Sequence, residues 1–187
     1  MKKTLITMTI LLGLSSASFA ANYDYYNLYN MAEENTTKFM HNVDPYQDED
    51  YHRYAWSPYP LFRTSSYLYF KSITVEPGYY LITPRKINEK TFIFFKDNGK
   101  IKYVIPVVKT ERTPIDFYKT KVPMPKKTKW DKFSQGIKNT FFKYAKDSKK
   151  VPPPPAFIET VDEGRFFIIK FYFGDDCHFM AFKKEKY

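Results

Sequence analysis

The chain has 187 residues, a net charge of +10, 20% aromatic residues and one cysteine. That length supports one hydrophobic core, and a lone Cys177 excludes an intrachain disulfide, so the core must hold by packing alone. No stretch beyond the first twenty residues is long and apolar enough for a transmembrane helix.

Residues 1–20 read as a secretory leader. Lys2 and Lys3 precede an apolar run from Leu5 to Leu14, and Ser18-Phe19-Ala20 places small residues where a signal peptidase cleaves. The apolar run is too short to span about 30 Å of hydrocarbon as a helix, so cleavage after Ala20 is expected rather than retention as an anchor. The mature chain is expected in the periplasm or outside the cell, at the envelope.

Residues 21–63 form an acidic, tyrosine-rich segment. Tyr25, Leu28, Tyr29, Ala32 and Phe39 recur at roughly helical spacing behind Asp24, a candidate N-cap, which predicts a helix over about 25–40. Residues 43–60 hold three prolines and show no period. They read as a loop pinned on the domain by Tyr46, Tyr54 and Trp56; sugar binding on stacked aromatics is the sharper alternative.

From residue 64 the texture is β. Candidate strands over about 66–75, 79–84, 91–96 and 101–108 make a meander punctuated by Pro77-Gly78 and Asn98-Gly99. Pro106 cannot donate to a ladder and marks an edge or a strand end. A second meander spans about 156–161, 165–173 and 177–183, with turns at Asp162-Glu163-Gly164 and Gly174-Asp175-Asp176. Phe and Ile on both parities imply burial on both sheet faces. The expectation is a mainly β, α+β domain over 64–187: one small barrel or sandwich of six to seven antiparallel strands, with an N-terminal helix.

Between the meanders lies a Pro- and Lys-rich insertion at about 111–155. Residues 119–150 carry eleven lysines against Asp131 and Asp147, enough to equal the mature chain's whole positive excess. Thr128 to Asp131 fits a capping box. Trp130, Phe133, Ile137, Phe141 and Tyr144 then share one stripe, with Lys132, Lys138, Lys143 and Lys146 on its flanks or far side and Phe142 off it. Pro152 to Pro155 end the helix and favour an extended arm. Such a basic amphipathic helix either covers the protein's own sheet or lies on an acidic surface. For the latter role the candidate contacts are Trp130, Lys132, Phe133, Lys138, Phe141, Phe142, Lys143 and Lys146, with anionic lipid first among partners. The acidic residues 44–50 are a candidate intramolecular partner for those lysines.

Chemistry-bearing motifs are sparse. Cys177 and His178 would point to opposite faces of a strand, which opposes a nucleophile–base pair. His41, His52, His178 and the Asp175-Asp176 turn lack metal-ligand spacing. No phosphate-cradling loop, nucleophile elbow, aromatic–glycine RNA-binding motif or zinc-finger spacing occurs. No catalytic residue, metal, cofactor or nucleic-acid partner is expected. The function best matching the sequence is an exported, non-catalytic binding or structural module of the cell envelope. A protein-binding adaptor using the aromatic N-terminal segment is the alternative, and an envelope-polymer hydrolase the third.

Overall fold

The computed structural model describes residues 24–121 and 150–185. The expected leader, and the basic helix expected from Thr128 to the proline run, fall outside those residues, except for Lys150. All eight candidate surface-binding residues lie outside them too.

Among the described residues, ten strands form two antiparallel sheets, packed as a sandwich and not closed as a barrel. The first sheet has the order β1-β4-β5-β6, from β1 (Leu61–Thr64), β4 (Gly78–Ile87), β5 (Lys90–Asp97) and β6 (Lys100–Pro106). The second has the order β3-β2-β10-β9-β8, from β2 (Leu68–Phe70), β3 (Ile73–Val75), β8 (Ala156–Glu163), β9 (Phe166–Phe173) and β10 (Asp176–Lys183). A short β7 (Lys109–Arg112) pairs with β10 on the edge that also meets β2.

The second meander forms as its turns predict. The first does not stay in one sheet. Residues 66–75 fold as the hairpin β2–β3, turned at Lys71 with φ 47°, and belong to the second sheet. Pro77-Gly78 is therefore a crossing between sheets rather than a hairpin. The strand expected over 101–108 stops at Pro106, and the chain changes sheets at the next two residues. Val107 donates its amide to the Thr91 carbonyl at 3.0 Å in one sheet, and Val108 donates to the Phe179 carbonyl at 2.9 Å in the other. β6 is an edge strand, as Pro106 requires.

Strand β4 runs past Pro84, where the sequence suggested an end. The Ile82 amide donates to the Pro60 carbonyl at 3.2 Å, so by two-residue alternation Pro84 turns its ring to the same side, beyond the end of β1. No ladder donor is missed there.

The core lies between the sheets. Tyr80, Ile82, Ile93, Phe95 and Ile105 face Phe70, Ile169, Phe171, Met180 and Phe182, and the Phe95 and Phe182 rings meet edge-on at 6.2 Å. Two-sided burial is real. On β5 the alternate residues Phe92 and Phe94 leave this core and pack with Ile101, Phe39 and Val104 on the outer face of the first sheet.

The N-terminal helix is shorter than its sequence period implied. α1 spans Tyr25–Met31, capped by the Asp24 carboxylate, which accepts from the Asn27 amide at 3.1 Å. It ends at Ala32, in extended conformation, because its last carbonyls and the following acids are bound elsewhere. Lys71 Nζ donates to the Asn30 and Ala32 carbonyls, and Glu34 accepts from the amide and hydroxyl of Ser72, each at 2.6 Å. A short α3 (Phe117–Lys121) lays Phe117 on Tyr172 at 3.8 Å between ring centroids.

Candidate functional site: an aromatic groove above a buried ion cluster

Residues 43–60 are not a plain loop. Asp44 turns the chain by accepting from the Tyr46 amide at 3.1 Å, and Gln47–Arg53 then form the helix α2. Asp48, Glu49 and Asp50 occupy its first turn and His52 and Arg53 its last, the arrangement a helix dipole favours. That charge order is legible in the sequence, although no apolar period accompanies it.

The segment is held down by ions; of the aromatics expected to pin it, Tyr46 lies under the Arg85 guanidinium, Tyr54 is partly buried and Trp56 is exposed. Asp44 is 2% exposed and accepts from Arg85 Nε at 3.1 and 3.0 Å and from Nη2 at 2.7 Å. Lys96 Nζ donates to the same carboxylate. Arg85 also pairs with Asp50, and its Nη1 donates to the Tyr59 hydroxyl at 2.8 Å, which in turn donates to Asp50 at 2.8 Å. The guanidinium lies over the rings of Tyr46 and Tyr59. Two cations thus meet two anions on the outer face of the first sheet. The acids expected to neutralise the lysine helix are, for Asp44 and Asp50, already paired with the sheet's own Arg85 and Lys96.

The titration directions follow from this packing. Burial opposes the charge of Asp44, but hydrogen bonds and attraction from Arg85 and Lys96 outweigh it and hold the carboxyl below its ordinary value. Burial likewise opposes the Arg85 charge and is outweighed by Asp44, Tyr59 and Asp50, so the guanidinium stays charged. Burial pulls Lys96 below an ordinary lysine, and Asp44 restores only part of that shift. Burial raises the Tyr59 phenol. Both carboxylates accept from cations. The cluster ties α2 and the turn before it to β4 and β5.

Above the cluster the same helix opens a groove of about 320 Å³. Gln47, Asp50, Tyr51 and the capping Tyr54 share one helical face and line it. Trp56, Ser57, Pro58 and Tyr59 complete the wall, over a floor of Leu81, Lys96 and Gly99. Tyr54 is partly buried, but Trp56 is 63% exposed and Tyr51 71%, so burial is not what fixes Trp56. Tyr59 is fixed by Phe173, stacked at 5.6 Å, and by Arg85. Lys150, where the chain returns from the insertion, sets its ammonium 4.3 Å from the Tyr51 ring centroid. The next residue, Val151, bridges to Tyr54: its amide donates to the Arg53 carbonyl at 2.9 Å and its carbonyl accepts from Ala55 at 3.1 Å.

Cys177 and His178 are adjacent on β10 and face opposite ways. Cys177 pairs across from Tyr172 and Glu111, whereas His178 pairs across from Phe171 and Thr110. Burial pushes the Cys177 thiol up to about 12 and lowers His178, whose Nδ1 lies 3.2 Å from Thr110 Oγ1. Among the described residues no group of three His, Cys, Asp or Glu side chains is placed to hold a metal ion, and no helix is long and apolar enough to cross a membrane.

The chain matches no protein-family model, no curated protein and no solved structure.

Proposed function

We propose that the mature chain is an exported, non-catalytic binding module of the cell envelope whose basic segment docks on an acidic surface, anionic lipid first. The observation carrying this reading is charge balance. The described residues hold nineteen Lys and Arg against eighteen Asp and Glu, whereas residues 122–149 hold eight lysines against Asp131 and Asp147. The sandwich is a nearly neutral body, so a field of one sign belongs to the insertion.

The ends of that insertion are fixed to the sandwich, by Phe117 on Tyr172 and by Val151 beside Tyr54. Close to the first anchor, Ile115 is 94% exposed, an apolar side chain beside the first lysines of the basic stretch. In this reading Trp130, Phe133, Phe141 and Phe142 enter the headgroup layer and Lys132, Lys138, Lys143 and Lys146 bind its phosphates.

Vesicle co-sedimentation tests it. Binding is expected to vesicles containing phosphatidylglycerol, to be weak on phosphatidylcholine, and to fall as salt rises. Changing the four lysines to Gln is expected to weaken it. Equal binding to both vesicle types, or by the four-Gln variant, rejects the reading.

The alternative is an adaptor that binds protein through the N-terminal segment, favoured by the exposed Tyr26, Met31 and Met40. Deleting residues 21–63 is no test, because it strips β1 and leaves Arg85 and Lys96 unpaired. Surface changes of Tyr26, Met31 and Met40 to Ser discriminate the two: loss of a protein partner with vesicle binding intact favours the adaptor.

A further inference from the structure

We propose that the groove walled by Tyr51, Tyr54, Trp56 and Tyr59 is a saccharide-binding site, with the Trp56 indole as its stacking platform. Among the described residues of the basic stretch only Lys150 lines this groove, and the proposal does not rest on the lipid-docking reading.

Three observations set the ligand class. First, the ring faces differ in availability. Tyr59 stacks on Phe173 and has Arg85 over its ring, and Tyr51 carries the Lys150 ammonium. Trp56 lines the groove, is mostly exposed, and has no ring or cation partner among the described residues. A flat apolar face is thus held out on a rigid base, where the C–H face of a sugar ring can stack.

Second, the lining carries both signs and neutral polar groups together. Asp50 and Lys96 are each tied into the ion cluster below, while Gln47 and Ser57 supply an amide and a hydroxyl. An anion would meet the Asp50 carboxylate. A cation would meet Lys150 already on the Tyr51 ring, with Lys96 on the floor. A purely apolar ligand would strand these polar groups without water. A neutral polyhydroxylated ring satisfies both the aromatic face and the mixed donors and acceptors.

Third, the volume of about 320 Å³ lies at the small end for ligand pockets, which suits one or two pyranose rings rather than a large molecule.

The test uses the mature chain carrying Trp130→Phe, so that Trp56 is the sole tryptophan. Chitotetraose, cellotetraose and maltotetraose are titrated while Trp56 emission is followed, with saturation-transfer NMR on the sugar protons as a second readout. At least one sugar is expected to shift the emission to the blue and to saturate. Calorimetry on the mature chain carrying Trp56→Ala alone is expected to show binding weakened by about tenfold or more, with Trp56→Phe retaining part of it. Gln47→Ala, an exposed position, is expected to weaken binding without moving the unfolding midpoint. No saturable response to any of the three sugars overturns the proposal. So does undiminished binding by Trp56→Ala, or tighter binding of tetramethylammonium or inorganic phosphate than of every sugar.

Discussion

At Asp44 one carboxylate satisfies two buried cations, and the consequences are direct. Asp44→Asn leaves Arg85 and Lys96 charged and underpaired on the buried outer face of the first sheet. A loss of about 3–5 kcal/mol is expected, read from urea unfolding. Acid acts on the same contact. A carboxyl whose folded pKa lies below its ordinary 3.8 contributes stability that is complete above that value and is lost as pH falls through the folded one. His178 works over a higher window. Burial lowers its folded pKa below 6.5, so the unfolded chain takes up a proton first, and stability declines as pH falls below 6.5. Unfolding midpoints measured from pH 8 to pH 3 should therefore fall in two stages, and His178→Gln should remove the upper one. Cys177 gives a simpler test. With its thiol pushed up to about 12 by burial, it should resist a thiol reagent at pH 8 in the native protein and react at once in denaturant.

At the scale of elements, turn chemistry carried the most information. Asn98 and Gly99 both adopt positive φ, 49° and 77°, as a tight hairpin between β5 and β6 requires. A Cβ on Gly99 would meet nothing within 4 Å, so Gly99→Ala costs backbone strain alone, about 1–2 kcal/mol by thermal unfolding. The same signals made the three strands β8, β9 and β10 legible nearly to the residue. Sheet membership was not legible. Alternation along β2 and β3 says which side chains are buried but not against which sheet, and Pro77-Gly78 serves a hairpin or a crossing equally well. The groove was half legible: Tyr54 and Trp56 stood out, but their packing was expected. What lifts them into a wall is α2, and α2 rests on Asp44 and Asp50 meeting Arg85 and Lys96, residues 35 to 52 positions away. No local pattern encodes a partner at that distance.

For the whole molecule, the division of charge decides how it meets other surfaces. A body with a net of +1 over its described residues exerts little long-range force, so the lysines of 122–149 set any encounter with an acidic partner. Under the proposed lipid docking, moving from low to high salt should release the intact protein from anionic vesicles while leaving its unfolding midpoint nearly unchanged. The ion cluster that secures α2 is buried and screened far less than exposed lysines are. Sedimentation and urea titration at both ionic strengths check this.

The backbone around Val107 and Val108 carries a consequence for how such a body comes apart. Two neighbouring amides serve as rungs on two different ladders, so prying one layer away tears the first rung of the other. The hinge of this book is also part of both pages, and fraying at either margin is transmitted across the spine rather than absorbed locally.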